Sequence, residues 1–333
     1  VQEQLAARVG SDVLRCPLYG ALSLSDQRKA ILPAPTGQRK VVLATNIAET
    51  SLTIEGIRLV VDSAQERVAS FDPRTGLTKL LTQRISQASM VQRAGRAGRL
   101  EPGICLHLIS AEQAERAAVQ STPEILQSDL SGLIMELLQW GCPDPAQLTW
   151  LNAPPEVNLA AARALLTQLG ALDGERLSSR GQKMAALGND PRLAAMLVAA
   201  QGDDEIATAA KLAAILEEPP RGANCDLAQA FSRNQGNWQQ RAQKLCKRLN
   251  SRGGTPDADS IAPLLAQAFA DRIARRRGLD GRYQLANGMG AMLDSDDALT
   301  RHEWLIAPLL VQGSHSPDAR ILQAVAVDID ALT

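Results

Sequence analysis

Aromatic residues are scarce in this chain, since phenylalanine, tyrosine and tryptophan make up 3% of its 333 residues. Side chains on which nucleic-acid bases could stack are therefore few. The 35 lysines and arginines are balanced by 36 aspartates and glutamates, so any polyanionic partner needs a local basic surface. Hydrophobic residues make up 45% of the chain, which is enough for folded domains and excludes wholesale disorder.

Cysteine, histidine and long apolar runs are also limited. The five cysteines form no Cys-x-x-Cys pair and no cluster with the three histidines. A disulfide framework and a zinc site are therefore disfavoured, and we predict no metal ligands and a reducing cytoplasmic location. No apolar run reaches the roughly 18 residues that span a membrane, and no signal peptide opens the chain. The chain begins without methionine, so we expect an internal piece of a longer protein.

Apolar runs alternate with helical segments up to about residue 110. The runs "KVVLAT" and "IRLVVDS" are typical of strands buried on both faces. The segment 66–83 alternates, turns at "DPRTG" and alternates again, which predicts a hairpin. Segment 86–99 is predicted to be a helix and 103–110 a buried strand, with His107 packed in the core. This order of elements predicts a parallel α/β sheet.

Beyond residue 120 the pattern changes. Residues 120–200 read mainly as helices, with two short apolar segments around Asp173 and Gly174 that predict a small hairpin after a helix, as in a winged helix. From about residue 282 the chain reads as short strands, consistent with a small barrel. The sequence therefore predicts several domains, first α/β and then mainly helical, with a β region at the end.

The segment "QRAGRAGR" at 92–99 concentrates arginines between small residues. On a helix, Gln92, Arg96 and Arg99 lie at offsets 0, 4 and 7 and share one face, whereas Arg93 points elsewhere. Two guanidinium groups and an amide on one face suit a polyanion such as a nucleoside triphosphate. The alternative is a solvated basic helix, but its glycines cost roughly 1 kcal/mol each relative to alanine. A phosphate that approaches closely would explain them.

The segment 44–54, "ATNIAETSLTI", follows a predicted buried strand and is rich in hydroxyls and amides. Loops at the carboxyl ends of parallel strands are where ligands bind in open α/β sheets. The alternative is an ordinary polar connection. The segment's polar residues are Thr45, Asn46, Glu49, Thr50, Ser51 and Thr53.

Together these two segments resemble motifs V and VI of DEAH-box RNA helicases, in the right order and about forty residues apart. The hairpin between them and the segments "STPEILQSDLSGLIMELLQWG" and "LSSRGQKMAALGNDPRLAAMLVAA" are similar to that family, and "GRYQLANGMGAML" to its bacterial HrpB branch. The resemblance implies an N-terminally truncated second RecA-like domain, a winged helix, a helical ratchet-like domain and a truncated OB-like region. We expect these at 1–119, 120–180, 181–268 and 269–333.

The resemblance implies roles around ATP for five residues. Gln92, Arg96 and Arg99 match the residues that approach the γ-phosphate, with both arginines acting as arginine fingers. Ser51 matches the serine that reports the γ-phosphate to the RNA side. Glu55 stands where many eukaryotic members place an aspartate near the nucleotide ribose.

Nucleic-acid contacts are expected at two places. Thr45 and Asn46 match motif V residues that contact the RNA backbone. Arg275, Arg276 and Arg277 lie in the basic run "DRIARRRG", which predicts phosphate contacts along the RNA path, the alternative being a charged surface helix.

The sequence contains neither Gly-x-x-x-x-Gly-Lys-[Ser/Thr] nor Asp-Glu-Ala-His, the elements with which a first RecA-like domain would hold ATP and Mg²⁺. We therefore expect half of an ATP site from a 3′-to-5′ RNA helicase, inactive without a first RecA-like domain in cis. Single-stranded RNA is the expected partner. The alternatives are a DNA helicase, or a nucleic-acid-binding or protein-docking adaptor with an inactive ATP site.

Overall fold

The computed structural model describes residues 1–20, 22–50, 52–188, 190–220, 222, 224–233, 235–278, 280–313 and 316–332. The chain forms two compact units. The first unit contains Val1–Val68 and Thr82–Thr122, and the second contains Ala69–Leu81 and Pro123–Thr333.

The first unit joins short helices to parallel strand pairs. β1 pairs with β2 and β3 pairs with β6, both in parallel, with Val61 opposite Leu106 in the second pair. Its elements are α1 (Gln2–Ala6), β1 (Val13–Leu18), α2 (Leu24–Ile31), β2 (Arg39–Ala44), β3 (Leu59–Asp62), the base of β4 (Gln65–Asp72) and of β5 (Leu77–Arg84), α3 (Gln87–Ala94), β6 (Ile104–His107) and α4 (Ala111–Glu115). The predicted parallel pairing is confirmed.

The prediction that these strands are buried on both faces is wrong. Helix α3 packs against β3 and β6, but the side chains of Leu59, Val61, Ile104 and Leu106 are more than half exposed. Successive side chains of a strand point to opposite faces, so the strands expose every second side chain. Among the described residues, each of these sheets has two strands. The apolar runs predict the strands correctly. They do not tell whether a second layer of structure covers both faces of those strands.

The predicted hairpin at 66–83 is confirmed as β4 and β5, and it crosses between the units. Its base lies in the first unit and its tip, Ala69–Leu81, in the second. The turn closes with a hydrogen bond of 2.9 Å from the amide of Gly76 to the carbonyl of Asp72, and Gly76 has φ +64°, a conformation that favours glycine. Lys79 donates to the Asp72 carboxylate at 2.6 Å, which ties the two sides of the turn together.

The second unit contains a helical body. α9 lies at its centre, packs against α8, α11 and α12, and buries mostly small side chains on both sides of Lys211. Asp190 caps α8 through hydrogen bonds to the amides of Arg192 and Leu193, and Pro191 occupies the first turn, where proline lacks no needed donor. The helices are α5 (Ser131–Gln139), α6 (Glu156–Gln168), α7 (Ser179–Leu187), α8 (Pro191–Ala199), α9 (Gly202–Glu217), α10 (Leu227–Ser232), α11 (Gly236–Arg248) and α12 (Ile261–Phe269).

The predicted small hairpin after a helix is confirmed. β7 (Leu172–Asp173) and β8 (Arg176–Leu177) follow α6 and pair antiparallel around Gly174, whose φ is +60°. Helix α7 then begins with Ser178 as its cap, and Gly181 in its first turn lies directly against the backbone carbonyl of Ala171. The hairpin and α7 are thus joined by a contact that leaves no room for a side chain.

The end of the chain forms the predicted small barrel. The strands pair in the order β13, β11, β10, β9 and β12, and β12 pairs again with β13, so the ring closes. At Lys79 and Leu80, β5 adds in parallel to the outer end of β12, opposite Gln312 and Gly313. These strands are β9 (Ile273–Arg276), β10 (Arg282–Leu285), β11 (Gly290–Met292), β12 (Trp304–Gly313) and β13 (Ala319–Ala326).

Candidate functional site

The loop after β2 carries the first group of predicted site residues. Thr45 and Asn46 are exposed, and a 3₁₀ helix at Asn46–Ala48 leads to Glu49, whose amide donates to the Asn46 carbonyl at 2.9 Å. The Thr45 amide donates to the Leu18 carbonyl at 3.1 Å, which fixes the start of the loop on β1. Hydroxyl and amide groups are therefore presented at the end of a strand.

One further predicted residue, Glu55, follows this loop in the chain. Glu55 is exposed, immediately before Gly56, which has φ +76°. Ser51 lies outside the described residues.

The second group lies at the end of α3, and the helix is shorter than predicted. Ser86 caps its start through the amide of Ser89 at 3.1 Å. The helix ends at Ala94, after which the amides of Arg96 and Ala97 bond three residues back instead of four. Glycine is the poorest helix former after proline, and glycines at 95 and 98 allow this tighter turn. The predicted helix through Arg99 is therefore wrong beyond Ala94.

The shared helical face predicted for Gln92, Arg96 and Arg99 is lost with that helix. Gln92 lies in its last turn, whereas Arg96 and Arg99 lie in the turns that follow. Gln92 and Arg99 are both exposed, and Arg96 is half-buried. The three residues remain close in the chain, but their arrangement does not follow the 100° step of an α-helix.

Arg96 joins the two predicted motifs. Its guanidinium donates from Nε to the Glu49 carbonyl at 2.8 Å and from Nη1 to the Leu52 carbonyl at 3.0 Å, and Nη2 also donates to Glu49. The planar fork suits neighbouring oxygens of this kind. A residue of the second motif is thus bound to the backbone of the first, across more than forty residues of sequence.

Arg93, expected to point away from the shared face, is a central contact. Its Nε donates to Glu49 at 3.0 Å and its Nη1 to Asp62 at 2.9 Å, and its side chain is 14% exposed. Burial lowers the pKa of the Arg93 guanidinium, but the hydrogen bonds and charges of Asp62 and Glu49 outweigh burial, so the pKa is raised. Helical periodicity placed Arg93 off the face but gave no signal of these partners.

His107 is not the packed core residue that the sequence predicts. It lies at the end of β6 with its ring 27% exposed, and its Nδ1 is 3.2 Å from the Asp62 carboxylate. Asp62 ends the neighbouring strand β3, opposite His107 in the register. The parallel pairing brings an acid and an imidazole together, because both residues end their strands at the same sheet edge.

The two glycines of "QRAGRAGR" are not required by the folded chain itself. A Cβ at Gly98 would meet no atom within 4 Å, and one at Gly95 would meet only carbonyl oxygens of Val91 and Gln92 at 3.4 and 3.5 Å. Neither glycine has a positive φ. Alanine would therefore fit both positions, and the neighbouring Gln92 and Arg99 are exposed.

The third group, Arg275, Arg276 and Arg277, lies in the second unit, at the end of β9 and just beyond it rather than on a helix. Arg275 is 65% exposed, with Glu303 at 3.2 Å and the Trp304 ring centroid at 5.3 Å. Arg276 donates to carbonyls of the segment 298–301.

Arg277 is about half exposed and has Asp318 at 3.7 Å. The basic run is therefore partly neutralised, and Arg275 and Arg277 are its accessible members.

The described residues contain neither a metal-ligand cluster nor a membrane-spanning helix. They include no group of three or more histidine, cysteine, aspartate or glutamate side chains that could hold a metal ion. They also include no helix both long and apolar enough to cross a bilayer.

Residues 3–101 match the helicase conserved C-terminal domain family. Over 332 of the 333 residues, the sequence is 81% identical to ATP-dependent RNA helicase HrpB of Escherichia coli (strain K12). The resemblance to HrpB is confirmed. The predicted RecA-like helicase C-terminal fold, composed of helices and sheets, is confirmed as well.

Further similarities agree with this result. A crystal structure of the Escherichia coli DEAH/RHA helicase HrpB superposes on all of this chain with a TM-score of 0.97 at 77% identity, and the chain covers 42% of it. Probable ATP-dependent RNA helicase DHX34 of Mus musculus is 42% identical over 183 residues, 55% of this chain and 16% of that protein. The chain spans 41% of the length of the HrpB sequence.

Proposed function

We propose that this chain supplies the arginine-finger half of the ATP site and part of the RNA groove of an ATP-dependent 3′-to-5′ RNA helicase. The contact of Arg96 with the carbonyls of Glu49 and Leu52 carries the proposal, because it joins the segment expected at ATP to the segment expected at RNA. The 81% identity to ATP-dependent RNA helicase HrpB supports the same activity.

On the ATP side, Gln92, Arg96 and Arg99 approach the γ-phosphate, and the two arginines neutralise charge on the transferred phosphoryl group. ATP, with Mg²⁺, supplies the phosphoanhydride whose hydrolysis drives the cycle. Among the described residues, the exposed Gln92 and Arg99 are accessible to a phosphate, whereas no group of three or more histidine, cysteine, aspartate or glutamate side chains could hold a metal ion. The resemblance to HrpB implies that Mg²⁺ is held mainly by a first RecA-like domain in cis, and Ser51 and Glu55 complete this side of the site.

On the RNA side, the exposed Thr45 and Asn46 contact the backbone of a single strand. Arg275 and Arg277 add phosphate contacts, with a smaller contribution from Arg276, whose Nη1 already donates to two backbone carbonyls. Phosphate contacts carry little sequence information, so binding is expected to be independent of sequence and sensitive to salt.

The domain assignment belongs to the same proposal. Residues 1–119 form the second RecA-like domain and 120–180 a winged helix. Residues 181–268 form a ratchet-like helical domain and 269–333 an OB-like region. The hairpin of β7 and β8 after α6 supports the winged helix, and the closed ring of β9 to β13 supports the OB-like region.

A chimera tests the proposal. This chain replaces the matching part of HrpB, and ATP hydrolysis is measured with and without single-stranded RNA and DNA, beside unaltered HrpB and the chain alone. We expect RNA-stimulated hydrolysis by the chimera and none above background by the chain alone. Hydrolysis by HrpB but not by a folded chimera would favour the adaptor with an inactive ATP site. Stimulation by DNA alone would favour a DNA helicase.

A further inference from the structure

The carboxylate of Glu49 lies in the loop after β2 and is bound from α3 on both of its oxygens. Ser89 donates to Oε1 at 2.8 Å, and Arg93 donates from Nε to Oε2 at 3.0 Å. The side chain of Glu49 is 16% exposed. A carboxylate this far from water needs such partners, because an unpaired buried charge is costly.

Arg93 in turn is anchored to the sheet. Its Nη1 donates to Asp62 at the end of β3 at 2.9 Å and to the Gln65 carbonyl at the start of β4 at 3.1 Å. Asp62 is 4% exposed and also accepts from the Ala64 amide at 3.0 Å. These hydrogen bonds hold the guanidinium in place on β3 and β4, and Glu49 is the member of the network that lies in a loop.

Glu49 makes two further contacts through its backbone, in opposite directions. Its amide bonds back to Asn46 at 2.9 Å across the 3₁₀ helix, and its carbonyl accepts from Arg96 at 2.8 Å. A displacement of Asn46 therefore reaches Arg96 through a single residue. Among the described residues, only Glu49 has its side chain hydrogen-bonded to Arg93 and its backbone carbonyl hydrogen-bonded to Arg96.

We propose that Glu49, seated on Arg93, is the positioning residue that couples RNA contact at Thr45 and Asn46 to the placement of Arg96. This inference rests on the proposed function, because it assumes RNA on one side of the loop and ATP on the other. Glu49 touches neither ligand. It sets where the loop lies against α3, and so where the Arg96 guanidinium lies when the two segments act together.

The test is a comparison of Glu49→Gln and Arg93→Lys in the HrpB chimera. The first keeps the shape of the side chain without its charge, and the second keeps the charge without the fork. We expect hydrolysis without RNA to stay within about twofold and RNA-stimulated kcat to fall by about tenfold, a typical coupling between two sites. The double variant should lose no more than the worse single variant, because both break one link.

The matched control is Glu112→Gln, which removes an exposed carboxylate from the Glu112–Arg116 pair on α4. It should leave stimulation unchanged. Ser89→Ala is a milder variant that removes one hydrogen bond to Glu49, and we expect it to give a smaller loss. It replaces Glu49→Gln or Arg93→Lys if either of them does not melt like the parent. Hydrogen exchange of amides 45–50 in this chain reports the loop without any activity, and Glu49→Gln should speed it.

The outcomes separate the two proposals. If the unaltered chimera shows no RNA stimulation, the proposed function fails, and this inference fails with it. If the chimera is stimulated and Glu49→Gln keeps full stimulation, only the inference is overturned. Equal losses with and without RNA would make Glu49 a merely structural residue, and unchanged exchange of amides 45–50 would show that it does not position the loop.

Discussion

Arg192 and Asp271 form a bidentate ion pair inside the second unit, with Nη1 to Oδ1 at 2.7 Å and Nη2 to Oδ2 at 2.8 Å. Arg192 lies in the first turn of α8, and Asp271 follows the end of α12. The Phe269 ring lies near two guanidinium groups, those of Arg192 at 5.5 Å and Arg272 at 5.4 Å from its centroid. The pair thus holds two helices together where charges are largely removed from water.

Breaking this pair is expected to cost much of the stability of the second unit. Asp271→Asn leaves the Arg192 charge without its counter-ion, and removal of one partner of a buried pair typically costs about 3 kcal/mol or more. Urea unfolding followed by far-UV circular dichroism measures the change. The control is Asp294→Asn, which removes the partner of Arg320 in a pair more than half exposed and should cost less than about 1 kcal/mol. Equal losses from the two variants would contradict the expectation.

The same carboxyl predicts a pH dependence. Burial raises the pKa of Asp271, but the hydrogen bonds and charge of Arg192 and the charge of Arg272 outweigh burial, so the pKa lies below its ordinary value. The unfolded chain then binds this proton more tightly than the folded chain, so ionised Asp271 stabilises the fold above about pH 4. The difference in unfolding free energy between parent and Asp271→Asn should be constant near neutral pH and shrink below pH 4. A difference that widens in acid would refute this sign.

A close contact at Gly181 predicts opposite effects for two glycine substitutions. A Cβ at Gly181 would collide with the Ala171 backbone, whereas a Cβ at Gly132 in α5 would meet nothing within 4 Å. Gly181→Ala should destabilise the chain by about 1–3 kcal/mol through overpacking. Gly132→Ala should be neutral or stabilising by up to about 1 kcal/mol, because alanine favours the helix. Thermal unfolding of both variants measures the two changes in stability. If Gly181→Ala is more stable than the parent, the backbone around Ala171 moves to accommodate the Cβ at no cost.

Loss of Arg96 should abolish most turnover in the HrpB chimera. Arg96→Ala is expected to lower kcat for ATP by about 10³-fold, the scale of an arginine finger. RNA binding without nucleotide should remain nearly intact, since the finger acts mainly on charge that develops in the transition state. Arg96→Lys should rescue only in part, because an ammonium lacks the planar fork.

Arg93→Ala is unsuitable as the control for this measurement, because it would leave Glu49 and Asp62 without their shared cation. The exposed Arg67 on β4 is the better choice, and Arg67→Ala should keep near-normal kcat. Each variant must melt like the parent. Near-normal turnover by Arg96→Ala would show that the finger lies elsewhere.

The basic run in the second unit predicts a change in salt dependence. Arg275→Ala and Arg277→Ala should each flatten the slope of log K against log salt for single-stranded RNA by about 0.7, the contribution of one phosphate contact. Arg276→Ala should change the slope less and lower the melting temperature, because it removes donors to the segment 298–301. Unchanged slopes for Arg275 and Arg277 would assign them to ordinary solvated surface.

Local sequence signals predicted the elements better than the site. The run "KVVLAT" and the turn at "DPRTG" carry their signals within a few residues, and β2 and the β4–β5 hairpin appear where expected. The end of α3 was missed, because the helical step was extended through two glycines that allow a tighter turn. The contact of Glu49 with Arg93 joins a loop to a helix 44 residues later, and no periodicity or spacing indicates such a pair.

The pairing of the hairpin tip with the barrel sets an order of events during synthesis. Lys79 finds its partner Gln312 only after the intervening chain, including β9 to β11, has left the ribosome. At translation rates of 5–20 residues per second, the tip emerges about ten seconds or more before that strand. For that interval Ala69–Leu81 lacks the edge it will join, so a nascent-chain chaperone would meet this hairpin as an open strand edge well before the barrel exists.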